Sequence, residues 1–179
     1  MINSRKHIAF FSQSGSEIVK LSHILGKWPD LIVTNQRPSS KRTIHPELEG
    51  RVAFVENIPT EEELSIILSH FQNPLVTLHG WLRIFPEQLC KNYEIYNSHP
   101  GLITKYPSLK GAHPQLKAFN NSLTDSGCVI HRVVPEVDSG EILLEKAISI
   151  EGLTLDEVFH ILHETSINLW VEFFKDKQW

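Results

Sequence analysis

Cysteine is scarce in this chain, and the scarcity excludes two classes at once. Only Cys90 and Cys128 are present, and they stand far apart. Neither a disulfide framework nor a paired-cysteine metal site can be built from them. No apolar run approaches the length of a membrane span, and no charged-then-apolar leader opens the chain, so it reads as cytoplasmic with no membrane partner. An excess of positive charge is also missing. The 17 Lys and Arg are outnumbered by 21 Asp and Glu, for a net charge of −4. A broad nucleic-acid surface needs clustered basic residues, so no nucleic-acid partner is expected. Repeats, low-complexity tracts and signs of a second domain are absent as well. What remains is a 179-residue chain that is 41% hydrophobic and 21% charged. It reads as one globular domain over residues 1–179, long enough for a substantial core.

Short apolar runs alternate with helical patterns, which predicts an α/β domain of mostly parallel sheet with helices on both faces. His7 to Phe11 reads as a buried first strand ending at a Ser/Gly turn. Ile18, Leu21, Leu25 and Trp28 recur at helical spacing up to Pro29. Asp30 to Asn35 and Arg51 to Val55 read as strands, with a basic loop from Arg37 to Gly50 between them. Thr60-Glu61-Glu62-Glu63 reads as a capping box opening a helix with Leu64, Ile67, Leu68 and Phe71 on one face. Pro74 to Leu78 is a strand entering the His79-Gly80 turn, and Glu94 to Tyr96 delivers Asn97 at its carboxyl end, where open α/β sheets bind ligands. Thr154 caps a long helix with Leu155, Val158, Phe159, Leu162, Leu169 and Phe173 turned inward.

The chemistry concentrates between Asn97-Ser98-His99-Pro100-Gly101 and Val137-Asp138-Ser139-Gly140. An amide, an imidazole and a carboxylate beside chain-bending residues are the parts needed to pass an acyl group to an amine. The amide N–H holds the carbonyl oxygen, the imidazolium steadies the oxyanion, and the carboxylate helps remove the amine's proton. If the segment is extended, Asn97 and His99 point to the same side. The plainer alternative makes Asn97 and His99 turn residues and Asp138 part of an Asp-x-Gly turn.

These motifs resemble a family. Asn97 to Pro107 is similar to the N-x-H-P-S-L-L-P-x-Y-P run of the 10-formyltetrahydrofolate-dependent formyltransferases, best of all their glycinamide ribonucleotide (GAR) branch. Gly127 to Val133 with Glu136 to Leu143 resembles the family's G-x-[ST]-V-H-x-V…x-[VL]-D-x-G-x-I-[IL] segment. His79 to Ile84 resembles its A-G-[FY]-M-R-I turn, and Ser12 to Ser16 its S-G-x-G-S phosphate loop. The resemblance implies a Rossmann-like formyltransferase domain, with the loop and the turn in residues 1–96 and the catalytic segment and C-terminal helix in residues 97–179. It implies catalysis by Asn97, His99 and Asp138, folate binding by Leu82, Arg83, Ile84 and Val137, and substrate binding by Ser14, Gly15, Ser16, His131 and Glu164. The co-substrate it implies is 10-formyltetrahydrofolate, with no metal. The partner is a small-molecule amine, and a homodimer is left open.

Two departures bear on the acceptor. Gln13 stands where the family has Gly, and Glu17, where it has Asn, places a carboxylate in the first helical turn beside any bound phosphate. If GAR is the acceptor, Glu17 is expected to swing outward or pair with a base such as Lys20, and Arg37, Lys41 or Arg42 to assist the phosphate. Lys110-Gly111 looks more like the [RK]-G-x-x-P run of methionyl-tRNA and sugar formyltransferases. GAR is the expected acceptor in purine biosynthesis, with a nucleotide-linked amino sugar as the alternative. A non-catalytic folate- or nucleotide-binding module is the alternative of another class. A metal reading rests on His160 and His163 one helical turn apart with Glu157 a turn earlier, but Leu162 between them belongs to a core face.

Overall fold

The computed structural model describes residues 5–37, 43–177 and 179. Seven strands form one sheet in the order β3-β2-β1-β4-β5-β6-β7. They are β1 (His7–Phe11), β2 (Leu31–Thr34), β3 (Val52–Phe54), β4 (Leu75–Leu78), β5 (Glu94–His99), β6 (Asp125–Arg132) and β7 (Ile142–Ser149). The first five run parallel, and β6 and β7 are antiparallel additions beyond β5. The helices are α1 (Ser16–Leu25), α2 (Glu61–Ser69), α3 (Glu87–Asn92), α4 (Pro114–Asn120) and α5 (Leu155–Lys175). The sheet is thus mostly parallel and covered on both faces, as expected.

Alternation along β1 divides the core. Ile8 and Phe10 pack with Leu64, Leu68 and Leu89 of α2 and α3, while Ala9 and Phe11 pack with Ile18 and Val19 of α1. β1 is fully buried on both faces, which is why it reads as a continuous apolar run. Beside α1 lies α5, whose Val158, Leu162, Trp170 and Phe173 pack on Val129 and Ile130 of β6. The strand order reverses between β1 and β4, and the loops leaving their carboxyl ends part there to open a crevice.

Several local expectations are adjusted. α1 stops at Leu25 rather than running to Pro29, because Gly26 adopts the left-handed conformation and its N–H bonds Ser22 O. Thr60 caps α2 through Glu63 N at 3.1 Å, but the Glu63 carboxylate accepts from Glu56 N, so only half of the capping box forms. At Thr154 both halves form. Part of the basic loop contains a short 3-10 turn, Pro46–Leu48, while Lys41 and Arg42 lie outside the described residues. Phe159 is 43% exposed and does not belong to the core face.

Burial of imidazoles makes stability sensitive to mild acid. Burial pushes the His7 ring well below its ordinary value, with the His79 ring adding to the effect, and burial also pulls His99 down. The unfolded chain therefore takes up protons near pH 6.5 that the native state refuses. Stability should fall as pH drops below about 6.5, before the carboxylates held low at Glu17 and Asp138 begin to protonate. Thermal unfolding between pH 8 and 5 tests this. An unchanged midpoint across the range would refute it.

Candidate active site

β5 extends through Asn97 to His99, so the Asn-Ser-His triplet is strand rather than turn. Alternation places Asn97 and His99 on one face and Ser98 on the other. The antiparallel register sets Asn97 directly opposite His131 and His99 opposite Val129. Asp138, in the crossing from β6 to β7, adopts a left-handed φ of 49°, a conformation short polar residues tolerate better than most. That turn folds the carboxylate back over β5 and β6.

The result is a four-residue cluster. Asp138 Oδ2 lies 3.2 Å from His99 Nδ1 and accepts from Gly111 N at 2.8 Å, while Oδ1 lies 3.3 Å from His131 Nε2. The Asn97 amide nitrogen is 3.3 Å from the same His131 Nε2, and His131 Nδ1 faces Arg132 O at 2.9 Å. Burial raises the Asp138 carboxyl, but His131, His99 and the Gly111 N–H outweigh it and hold the group below the usual carboxylate range. For His99 the balance runs the other way. Burial lowers it, although Asp138 and Leu109 O, 2.9 Å from Nε2, both favour the charged ring. Burial thus works against the charged ring while both of its partners, which are acceptors, work for it. Neither of its nitrogens is free to face an oxyanion. A ring so placed can take up a proton when negative charge develops beside it, and the Asn97 amide is a donor on the same cavity wall.

These residues line one cavity of about 800 Å³, within the range that holds a cofactor-sized molecule. Leu82, Arg83, Ile84 and Val137 line it too. Leu82 is 49% exposed, Ile84 72% and Val137 50%, which gives the cavity an apolar rim. The Arg83 guanidinium is held by the Asn57 carbonyl and side chain at 2.7 and 2.6 Å. Leu82 N donates to Ser12 Oγ at 3.0 Å, which ties this turn to the loop after β1.

Ser14, Gly15 and Ser16, in the loop that follows Ser12, line the cavity as well. Gly15 is required twice over: its φ is +74°, and a Cβ there would stand 2.4 Å from Leu48 Cδ1. Glu17 neither swings outward nor pairs with Lys20. It turns inward to His79 Nδ1 at 2.7 Å and Ser166 Oγ at 2.8 Å. Lys20 is ion-paired with Glu164, which lies outside the cavity lining and is the candidate the fold does not bring to the site. His160 and His163, the pair behind the metal reading, line the cavity beside Phe159. Three contributors were not singled out as site residues: Gly111, whose N–H binds Asp138, His79, and Ser166. Gly111 left a signal in the Lys110-Gly111 run and His79 in the His79 to Ile84 turn, while Ser166 left none.

Comparisons with known proteins bear on the family and the fold. The family model described as formyl transferase matches residues 25–172. A phosphoribosylglycinamide formyltransferase from Dictyostelium discoideum is 37% identical over 114 residues, 55% of this chain and 54% of that protein. A methionyl-tRNA formyltransferase from Thermotoga neapolitana is 31% identical over 67% of this chain and 38% of its own length. The match thus spans about half, or less, of these curated relatives. Among solved structures, phosphoribosylglycinamide formyltransferases from Bacillus halodurans and Streptococcus pneumoniae superpose with TM-scores of 0.77 and 0.78, each 25% identical. They cover 93% and 96% of this chain, and 91% and 97% of theirs. A formyltetrahydrofolate deformylase from Pseudomonas syringae, 19% identical with a TM-score of 0.72, shares the fold. Fold, site and family model converge: the chain belongs to the formyl transferase family.

Proposed function

We propose that this protein transfers the formyl group of 10-formyltetrahydrofolate to the amine of glycinamide ribonucleotide, in the cytoplasm and as a step of purine biosynthesis. The observation that carries the reading is the convergence of Asn97, His99, His131 and Asp138 on the wall of one cavity, between an exposed apolar turn and the loop ahead of α1. The pteridine ring of the donor packs on Leu82, Ile84 and Val137, with Arg83 bracing the turn. The acceptor's phosphate sits at the N–H groups of Ser14, Gly15 and Ser16, where the α1 terminus favours an anion.

The neutral amine attacks the formyl carbon, forming a C–N bond as negative charge grows on the formyl oxygen. The Asn97 amide donates to that oxygen as the charge develops. Asp138 relays the amine's proton, directly or through water, to His99 and stabilises the imidazolium that results. As the bond from the formyl carbon to N10 of the folate breaks, His99 gives that same proton up to N10 by the reverse path, so none is gained or lost overall. His131 holds Asn97 and Asp138 in register. A binding module would have no use for this set, and the same cavity without it would still bind folate.

The test is an acceptor panel. Release of tetrahydrofolate should follow addition of GAR, and not of initiator methionyl-tRNA or a nucleotide-linked amino sugar, the acceptor toward which Lys110-Gly111 leans. Turnover with the amino sugar and none with GAR would replace this reading.

The folate end has its own check. A non-reactive folate analogue should protect Leu82, Ile84 and Val137 from solvent in a hydrogen-exchange or crystallographic experiment, leaving its charged glutamate tail outside. A pteridine found elsewhere would refute the assignment.

A further inference from the structure

Two positions at which this chain departs from the family's motifs touch each other. His79 stands where the turn after β4 has Ala, and Glu17 stands where the loop ahead of α1 has Asn. Their side chains are 1% and 12% exposed and lie 2.7 Å apart. Glu17 also accepts from Ser166 of α5, and His79 Nε2 faces Thr77 Oγ1 at 2.8 Å, which in turn lies 2.7 Å from His7 Nε2. Ser166 Oγ meets Ser98 Oγ at 3.0 Å, so the string reaches the strand that carries Asn97 and His99.

A carboxylate in the first turn of α1 competes with any anion for the helix terminus. Here it lines the cavity beside Ser14, Gly15 and Ser16 but is held by His79 and Ser166. Burial raises the Glu17 carboxyl, but the hydrogen bond and charge of His79, with Ser166, bring it below the ordinary value, so it is ionised. A buried carboxylate without a partner is costly, and the His79 ring 2.7 Å away is the partner the fold supplies.

We propose that the Glu17–His79 ion pair is a specificity device of the acceptor end, in which His79 cancels the Glu17 charge so that the loop Ser14-Gly15-Ser16 takes an anionic acceptor of the sugar-phosphate class. His79 is a positioning residue, with no contact to the reacting atoms. The inference rests on the reading of that loop as the acceptor's phosphate end.

Ribose 5-phosphate binding, followed by calorimetry or by amide shifts of Ser14 to Ser16, tests the pair apart from catalysis. Wild-type protein should bind it, and His79→Ala should weaken binding by about tenfold or more, since an uncompensated charge then faces the dianion. The His79→Ala/Glu17→Asn double variant, which buries no charge, should bind nearly as well as wild type. With GAR as acceptor, the loss in His79→Ala should appear in KM rather than kcat, which a general loss of structure would not produce. Should His79→Ala fail to fold, His79→Gln, which keeps the hydrogen bonds without the charge, carries the same expectation. Equal affinity in wild type and His79→Gln, or a double variant no better than His79→Ala, would overturn the proposal. So would a wild type that binds no ribose 5-phosphate, with formyl transfer to another amine still open to the acceptor panel. Pair-dependent phosphate binding without GAR turnover would sink the functional reading and leave the pair's role standing.

Discussion

Asp138→Ala and Asn97→Ala should each lower kcat by about 100-fold or more while the protein still folds. Asp138 is the hub of the cluster: one carboxylate meets His99, His131 and the Gly111 N–H. Its loss removes the partner that makes a charged His99 attainable against burial, and frees His131 from one of its contacts. Asp138→Asn isolates the charge. Asn tolerates the left-handed backbone, and its carbonyl can still accept from Gly111 N, so the turn should persist while kcat falls by a comparable factor. Because Asn97, His99 and Asp138 act on the same developing charge, a double variant should lose little beyond the more damaging single one. Tetrahydrofolate release at saturating donor is the measurement. A wild-type rate in Asp138→Ala would end the mechanism.

Gly140→Ala should be nearly as damaging, through geometry alone. A Cβ at Gly140 would stand 1.8 Å from Arg132 O, a backbone atom with nowhere to go. Arg132 N is bonded to Glu141 O at 2.8 Å, so both sides of the crossing would have to part. Steric overfilling of this kind costs about 1–3 kcal/mol. The larger loss is kinetic. Asp138 lies two residues away, and a displacement of about 1 Å in a catalytic group is worth about 100-fold in rate. Gly152→Ala is the control: nothing lies within 4 Å of its Cβ, and only the φ of +74° is penalised. It should lose about 1–2 kcal/mol of stability and keep its activity. Equal behaviour of the two variants in thermal unfolding and turnover would refute the argument.

How much of this was legible in sequence depends on the kind of interaction. Strands buried on both faces, such as β1 and β4, announce themselves as apolar runs, and the helices with capping residues announce their starts. Asn97, His99 and Asp138 were legible because each sits in a short motif with a chemical reason for its neighbours. The ends β6 and β7 were less so. β7 is half solvated and its pattern is broken by the irregular register between Ile130 and His131. Short helices such as α3 and α4 have too few turns to show a period. The resting state of His99 depends on Leu109 O and on burial, both tertiary. Glu17 misled for the same reason. Its local position, one residue inside a helix, says that it faces an incoming anion, and only its contacts with His79, just after β4, and Ser166 of α5 turn it inward.

The two ends of the cavity differ in how the chain assembles them. The reacting residues all lie between Asn97 and Asp138, joined by neighbouring strands. The acceptor end joins Glu17 to Ser166, 149 positions apart. Contacts of such long range are closed late in folding, after the loop entropy of the intervening chain has been overcome. A folding intermediate can therefore hold the catalytic cluster before it holds the acceptor's seat. Hydrogen exchange in the native state should show the same order in reverse, with the junction of α1 and α5 opening at lower free energy than β5 and β6.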